Sequence, residues 1–112
     1  MTIEERTAGP VTVLKLRGKI TLGDGDTALR DKITALLQEE KTKILLNFAD
    51  VPYIDSAGLG EVVRTYTTLN RQGGQLRLAS VTKRISDLLK MARLSNVLET
   101  HEEEADALKS FN

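Results

Sequence analysis

The residues best suited to chemistry in this chain lie together in Asp50-Val51-Pro52-Tyr53-Ile54-Asp55-Ser56-Ala57-Gly58-Leu59-Gly60. Ser56 offers a hydroxyl, Asp55 places a carboxylate beside it, and glycines follow at positions 58 and 60. The stretch joins the end of an expected strand to the start of an expected helix, the edge of an open α/β sheet where ligands and partners usually bind. Either Asp55 or Ser56 can serve as N-cap, because a side-chain oxygen there accepts the unpaired amides of the first turn. Glycine within a helix costs about 1 kcal/mol relative to alanine, so two in one first turn need a reason. Close packing of the turn on the sheet is one reason. The other is a surface left bare around Ser56, so that another protein's backbone can approach. Spacing leaves both open.

Other chemistries find little support. Ser56 lacks the G-x-S-x-G setting of a hydrolase nucleophile. His101 is the only histidine and sits among Glu102, Glu103 and Glu104 at an expected helix start, with nothing to direct it towards Ser56. The absence of cysteine removes thiol nucleophiles, disulfides and thiolate metal sites together. Gly23-Asp24-Gly25-Asp26 has the flavour of a calcium loop, but the fuller D-x-D-x-D-G…E pattern is missing, and a helix-capping turn is the reading adopted. No glycine-rich phosphate loop follows a strand, so no cofactor is expected. The chain reads as a binding protein rather than an enzyme.

Charge narrows the partners. Lys plus Arg and Asp plus Glu each total 16, giving zero net charge, whereas nucleic-acid binding needs a positive surplus to release counterions. Lys83, Arg84, Lys90 and Arg93 form the best local basic patch and are read as a solvated helix face. No apolar run exceeds three residues, and Glu4, Glu5 and Arg6 interrupt any leader core. The expectation is a cytoplasmic protein with no nucleic-acid partner and no membrane insertion.

The elements that must position these residues follow from periodicity. Ile3 and the Val11, Val13, Leu16 series, separated by Gly9-Pro10, predict a hairpin in which those three share one face. Gly18 ends the second strand, and Ile20 begins a brief extension. Leu29, Ile33, Leu36 and Leu37 predict a helix over about 26–40, with Asp24 or Asp26 as N-cap. Lys43 to Phe48 is a buried strand. Leu59, Val62, Val63, Tyr66 and Leu69 make a second helix ended by Gly73-Gly74. Leu76 and Leu78 mark another strand, and Ile85, Leu88, Leu89 and Ala92 a third helix capped by Thr82. Val97 to Thr100 is read as a last strand and Glu102 to Phe111 as a last helix. The order β-β-α-β-α-β-α-β-α implies a single α/β domain over 1–112, a mixed and largely parallel sheet of four to five strands with about four helices packed on it.

With those elements in place the chain resembles the STAS domain, and within it the bacterial anti-sigma-factor antagonists. The resemblance rests on L-R-G-K-I after the second strand and I-L-L-N-F-A-D-V-P-Y-I-D-S-A-G-L-G in the middle. R-Q-G-G-Q-L-R-L-A-S and R-I-S-D-L-L-K-M-A-R-L-S-N-V-L carry it on, so it covers nearly the whole chain. It implies that Ser56 is phosphorylated by a partner that is both anti-sigma factor and serine kinase. The unphosphorylated form binds that partner and frees a sigma factor, and a serine phosphatase resets the switch. Many members carry an aspartate three residues after the glycine matching Gly18; here that position is Thr21, in a loop one residue longer that holds Asp24 and Asp26.

The partner surface expected from this resemblance comprises Thr21, Asp24, Asp26, Tyr53, Asp55, Ser56, Ala57, Gly58 and Gly60, with Glu61, Arg64 and Thr65 on an exposed face of the second helix. A phosphate adds about −1.5 to −2 charges to a neutral hydroxyl, which the helix N-terminus tolerates and Asp55 opposes. A docked partner would have to desolvate that charge without a prepared counter-ion. The alternative is a constitutive assembly subunit of a membrane transport complex, with Ser56 as a cap or contact and no kinase.

Overall fold

The computed structural model describes residues 1–111. Gly9-Pro10 closes the opening hairpin: β1 (Thr2–Ala8) runs antiparallel to β2 (Val11–Arg17), with Ala8 opposite Val11. Gly9 takes φ +60°, the left-handed value that tight hairpin turns demand and that glycine adopts without a side-chain clash. β2 then pairs parallel with β3 (Lys43–Asp50), β3 with β4 (Gln75–Ala79), and β4 with β5 (Thr100–His101). The five strands therefore lie in sequence order across the sheet. α1 (Gly25–Gln38), α2 (Ser56–Arg71) and α3 (Lys83–Met91) form the parallel crossovers, and α4 (Glu104–Lys109) closes the chain. This is the expected α/β architecture.

Two cores flank the sheet. Leu14, Leu16, Ile44, Leu46, Phe48 and Leu78 point to one side, where they meet Leu29, Ile33 and Leu36 of α1, Val62 and Leu69 of α2, and Ile85 and Leu89 of α3. A fully buried side chain of this size contributes roughly 1.5–3 kcal/mol, so this face holds the main apolar stabilisation. The other side is smaller: Val11, Val13, Leu45, Ala79 and Ala107 pack together, with Leu108 and Phe111 against them. Polar groups share that face. Asn47 is buried and donates from Nδ2 to Glu104 (2.7 Å), while its Oδ1 accepts from the Ala49 amide (2.9 Å).

Three expectations are corrected. Leu16 does not share a face with Val11 and Val13; strand alternation puts it beside Leu14 in the larger core. The last strand is Thr100–His101 rather than Val97–Thr100, because the Leu94 carbonyl accepts from the amides of Val97 and Leu98 and holds those residues in a turn. The last helix spans Glu104–Lys109, shorter than Glu102–Phe111, and His101 lies in β5 with Nε2 2.7 Å from Glu99.

Candidate functional site

The site forms where β2 and β3 end. Beyond Arg17 the chain turns at Gly18 and runs past Ile20; beyond Asp50 it reaches Ile54 and α2. Ile20 and Ile54 make an isolated parallel bridge, with the Ile20 amide donating to the Tyr53 carbonyl (3.1 Å) and the Asp55 amide to the Ile20 carbonyl (3.3 Å). Ile20 is thus the brief extension expected after Gly18.

Asp55, not Ser56, is the N-cap of α2. Its Oδ1 accepts from the Gly58 amide (2.9 Å) and its Oδ2 from the Leu22 amide (3.0 Å), so one carboxylate caps the helix and fastens the 18–24 loop to it. The Gly58 amide, and then that of Leu22, stabilise the anion and hold the carboxyl below its ordinary range. Thr82 likewise caps α3 by accepting from the Ile85 amide (3.3 Å).

The two glycines separate. A Cβ on Gly58 would lie 2.1 Å from the Ile20 carbonyl oxygen and 2.8 Å from Ile54 Cγ1, so this residue exists for close approach. A Cβ on Gly60 would meet nothing within 4 Å. Close packing on the sheet therefore accounts for Gly58, while Gly60 has open space around it.

Between them Ser56 is exposed, and its hydroxyl makes no hydrogen bond to any described residue. Tyr53, Gly60, Asp24 and Arg64 are also exposed, and Thr21, Asp55 and Ala57 are half-buried. The rest of the expected surface is sealed. Gly58 is buried under the Ile20 segment. Asp26 is buried in the first turn of α1, where Oδ1 accepts from the amides of Gly23 (2.8 Å) and Thr27 (2.7 Å). Neither loop aspartate bonds to Ser56, since Asp24 faces the Met1 amino group (3.2 Å).

Glu61 and Thr65 do not lie on an exposed face of α2. One turn apart, they point at α1, where Glu61 takes both Nε and a terminal nitrogen of Arg30 at 2.8 Å, and the Thr65 hydroxyl donates to the Glu61 carbonyl. Glu61 joins the two helices, while the Thr65 bond stays within α2.

Sequence reasoning missed the far wall of the site. A groove of about 400 Å³ runs from Ser56 to α3, with Ile54, Leu59, Leu88 and Met91 supplying its apolar surface. Met91 is 81% exposed at one end. At the other, the Arg84 guanidinium lies 5.2 Å from the centre of the Tyr53 ring. In the sequence Arg84 reads only as part of a solvated helix face and Met91 is not singled out; which groove they line depends on how α3 lies on the sheet.

A family model described as the STAS domain matches residues 2–107. The anti-sigma F factor antagonist of Paenibacillus polymyxa is 24% identical over 98 residues, 88% of this chain and 84% of that protein. An anti-sigma-B factor antagonist of Staphylococcus aureus (strain NCTC 8325 / PS 47) is 31% identical over 74 residues, 66% of this chain and 68% of that one. The solved structure of the anti-sigma factor antagonist SpoIIAA in its unphosphorylated form superposes with a TM-score of 0.76 at 21% identity, covering 96% of each chain. The phosphorylated form of the Bacillus protein gives 0.74 at 19%, covering 96% of this chain and 97% of that one. These last two are likenesses of fold. None of the described helices is long and apolar enough to cross a membrane. A five-stranded mixed sheet with a serine-bearing turn at its edge, and a family match running almost end to end, place the chain in the STAS domain family, alongside anti-sigma-factor antagonists.

Proposed function

We propose that this protein is an anti-sigma-factor antagonist controlled by phosphorylation of Ser56. The observation that carries the reading is the hydroxyl itself: exposed, without a hydrogen-bond partner, at the rim of a groove with an apolar wall. Unphosphorylated, it lets an anti-sigma factor with serine kinase activity dock over the α2 start, which releases a sigma factor in the cytoplasm. The chain itself acts by binding, not by turnover. In the kinase's step the γ-phosphorus of ATP bonds to the Ser56 oxygen, ADP leaves, and the hydroxyl proton is released. A serine phosphatase reverses the state by hydrolysis. The known relatives named as anti-sigma factor antagonists support the partner class, and SpoIIAA, solved with and without phosphate, supports the modification.

The physical lever is desolvation. A partner packed on Ser56 would have to strip water from a dianion, and a net penalty of about 3–4 kcal/mol corresponds to roughly 10²–10³-fold weaker binding. The test is to incubate the chain with its candidate kinase and ATP, map the phosphate by mass, and measure binding. Ser56→Ala keeps partner binding and takes no phosphate; Ser56→Asp and Ser56→Glu bind poorly. Binding like the wild type by every one of these variants overturns the switch. Full binding with no phosphate on residue 56 would favour the constitutive assembly subunit instead.

A further inference from the structure

We propose that Arg84 is the built-in counter-ion for a phosphate on Ser56, leaving the Tyr53 ring to pair with it across the groove between α2 and α3. The inference rests on the phosphoserine reading above and names the residue that answers the new charge.

The cap of α2 competes with that phosphate for the amides of the first turn. Asp55 already accepts from the Gly58 amide, and its carboxylate also draws on the Ala57 amide. It further adds a negative charge beside the modified residue. A dianion at position 56 therefore meets a helix end where Asp55 already holds the Gly58 amide and repels the new charge. A cation within reach would offset that repulsion.

Arg84 lines the same groove as Ser56, and Asp55 and Arg84 are the charged residues along it. Several arginines are matched to carboxylates, Arg17 to Glu4 and Asp50, Arg30 to Glu61 and Arg77 to Glu99, and so is the adjacent Lys83 to Asp87; among those without such a partner, Arg84 is the one that lines this groove. Arg84 has no carboxylate among the described residues; what it has is the face of Tyr53. It also sits in the first turn of α3, the end of a helix that disfavours a cation. A guanidinium on a ring at an exposed site is held by only about 0.5–1 kcal/mol, so it is easily drawn away. A phosphate offers three acceptor oxygens to its planar fork, a charge-assisted and often bidentate pairing. Once paired, the side chain spans the groove and covers the apolar wall that the free form leaves open. Phosphorylation would then shut the docking surface as well as charge it.

The test uses the full chain with phosphoserine encoded at residue 56, so it does not depend on any kinase. Phosphorus NMR gives the second ionisation of the phosphate, ordinarily near pH 6, and a paired guanidinium favours the dianion and lowers it. Arg84→Gln should raise that ionisation by roughly half a unit or more, and Arg84→Lys should restore part of the difference. Tyr53 ring protons should shift on phosphorylation in the wild type and stay still in Arg84→Gln. The same ionisation in wild type and Arg84→Gln, with an unmoved Tyr53 signal, overturns the proposal while leaving the switch intact. Failure of a kinase to modify Ser56 would instead remove the switch and leave this pairing to be read from the encoded protein.

Discussion

Two helices of this protein start on the same piece of backbone, and they are finished in opposite ways. At α1, Gly25 presses onto Lys19 and Ile20, where a Cβ would lie 2.5 Å from the Lys19 carbonyl oxygen, and Asp26 turns inward to gather the amides of Gly23 and Thr27. At α2, Gly58 presses onto the Ile20 carbonyl, and Asp55 stands outside the helix as its cap. Each pairs a close-approach glycine with an amide-collecting aspartate. In α1 the aspartate is buried and the result is a sealed joint. In α2 the aspartate sits one residue earlier than the helix, which leaves Ser56 at the first helical position, facing water. The same parts make a structural anchor in one place and an exposed hydroxyl in the other.

The sharpest way to break that comparison is to add a methyl at either joint. Gly58→Ala and Gly25→Ala should each cost about 2–3 kcal/mol or more in urea unfolding, since the clash is with backbone that cannot swing aside. A neutral result at Gly58 would mean that the α2 seat is loose. Next in size, Asp26→Ala should cost about 1–2 kcal/mol by leaving the Gly23 and Thr27 amides without their acceptor, while leaving partner binding nearly intact.

Asp55→Asn should reveal itself through pH instead. The Asp55 carboxyl is depressed by the Gly58 and Leu22 amides, so its contribution is present above its ordinary value near 3.8 and is lost as pH falls through the lower, folded value. The asparagine variant should therefore show a shallower loss of stability below pH 4 than the wild type; identical acid profiles would deny the carboxylate its clasp. The smallest effect belongs to Gly60→Ala. With open space around it, alanine should stabilise α2 by about 0.5–1 kcal/mol and yet weaken partner binding, because it covers ground that glycine leaves bare. A gain in stability with unchanged binding would place the docking surface elsewhere.

Much of this was legible beforehand because local signals agreed. Gly9-Pro10 between alternating runs could only be a hairpin, Thr82 before an amphipathic stretch could only be a cap, and β3 was apolar enough to be buried on both faces. The failures share a cause in tertiary placement. Glu61 and Thr65 looked like solvent-facing residues because their types suit water, but both are buried and Arg30 of α1 meets Glu61 there. Val97 has β propensity, yet the Leu94 carbonyl claims its amide first. Arg84 and Tyr53, separated in sequence by α2 and β4, had no sequence signal to link them.

The consecutive strand order bears on how the protein is made. Each strand after the first docks against the one synthesised immediately before it, so the sheet can grow in step with the ribosome. Ser56 emerges long before Arg84 and Met91, and until α3 settles there is no far wall beside the serine. A nascent chain would therefore display the hydroxyl before the groove beside it exists.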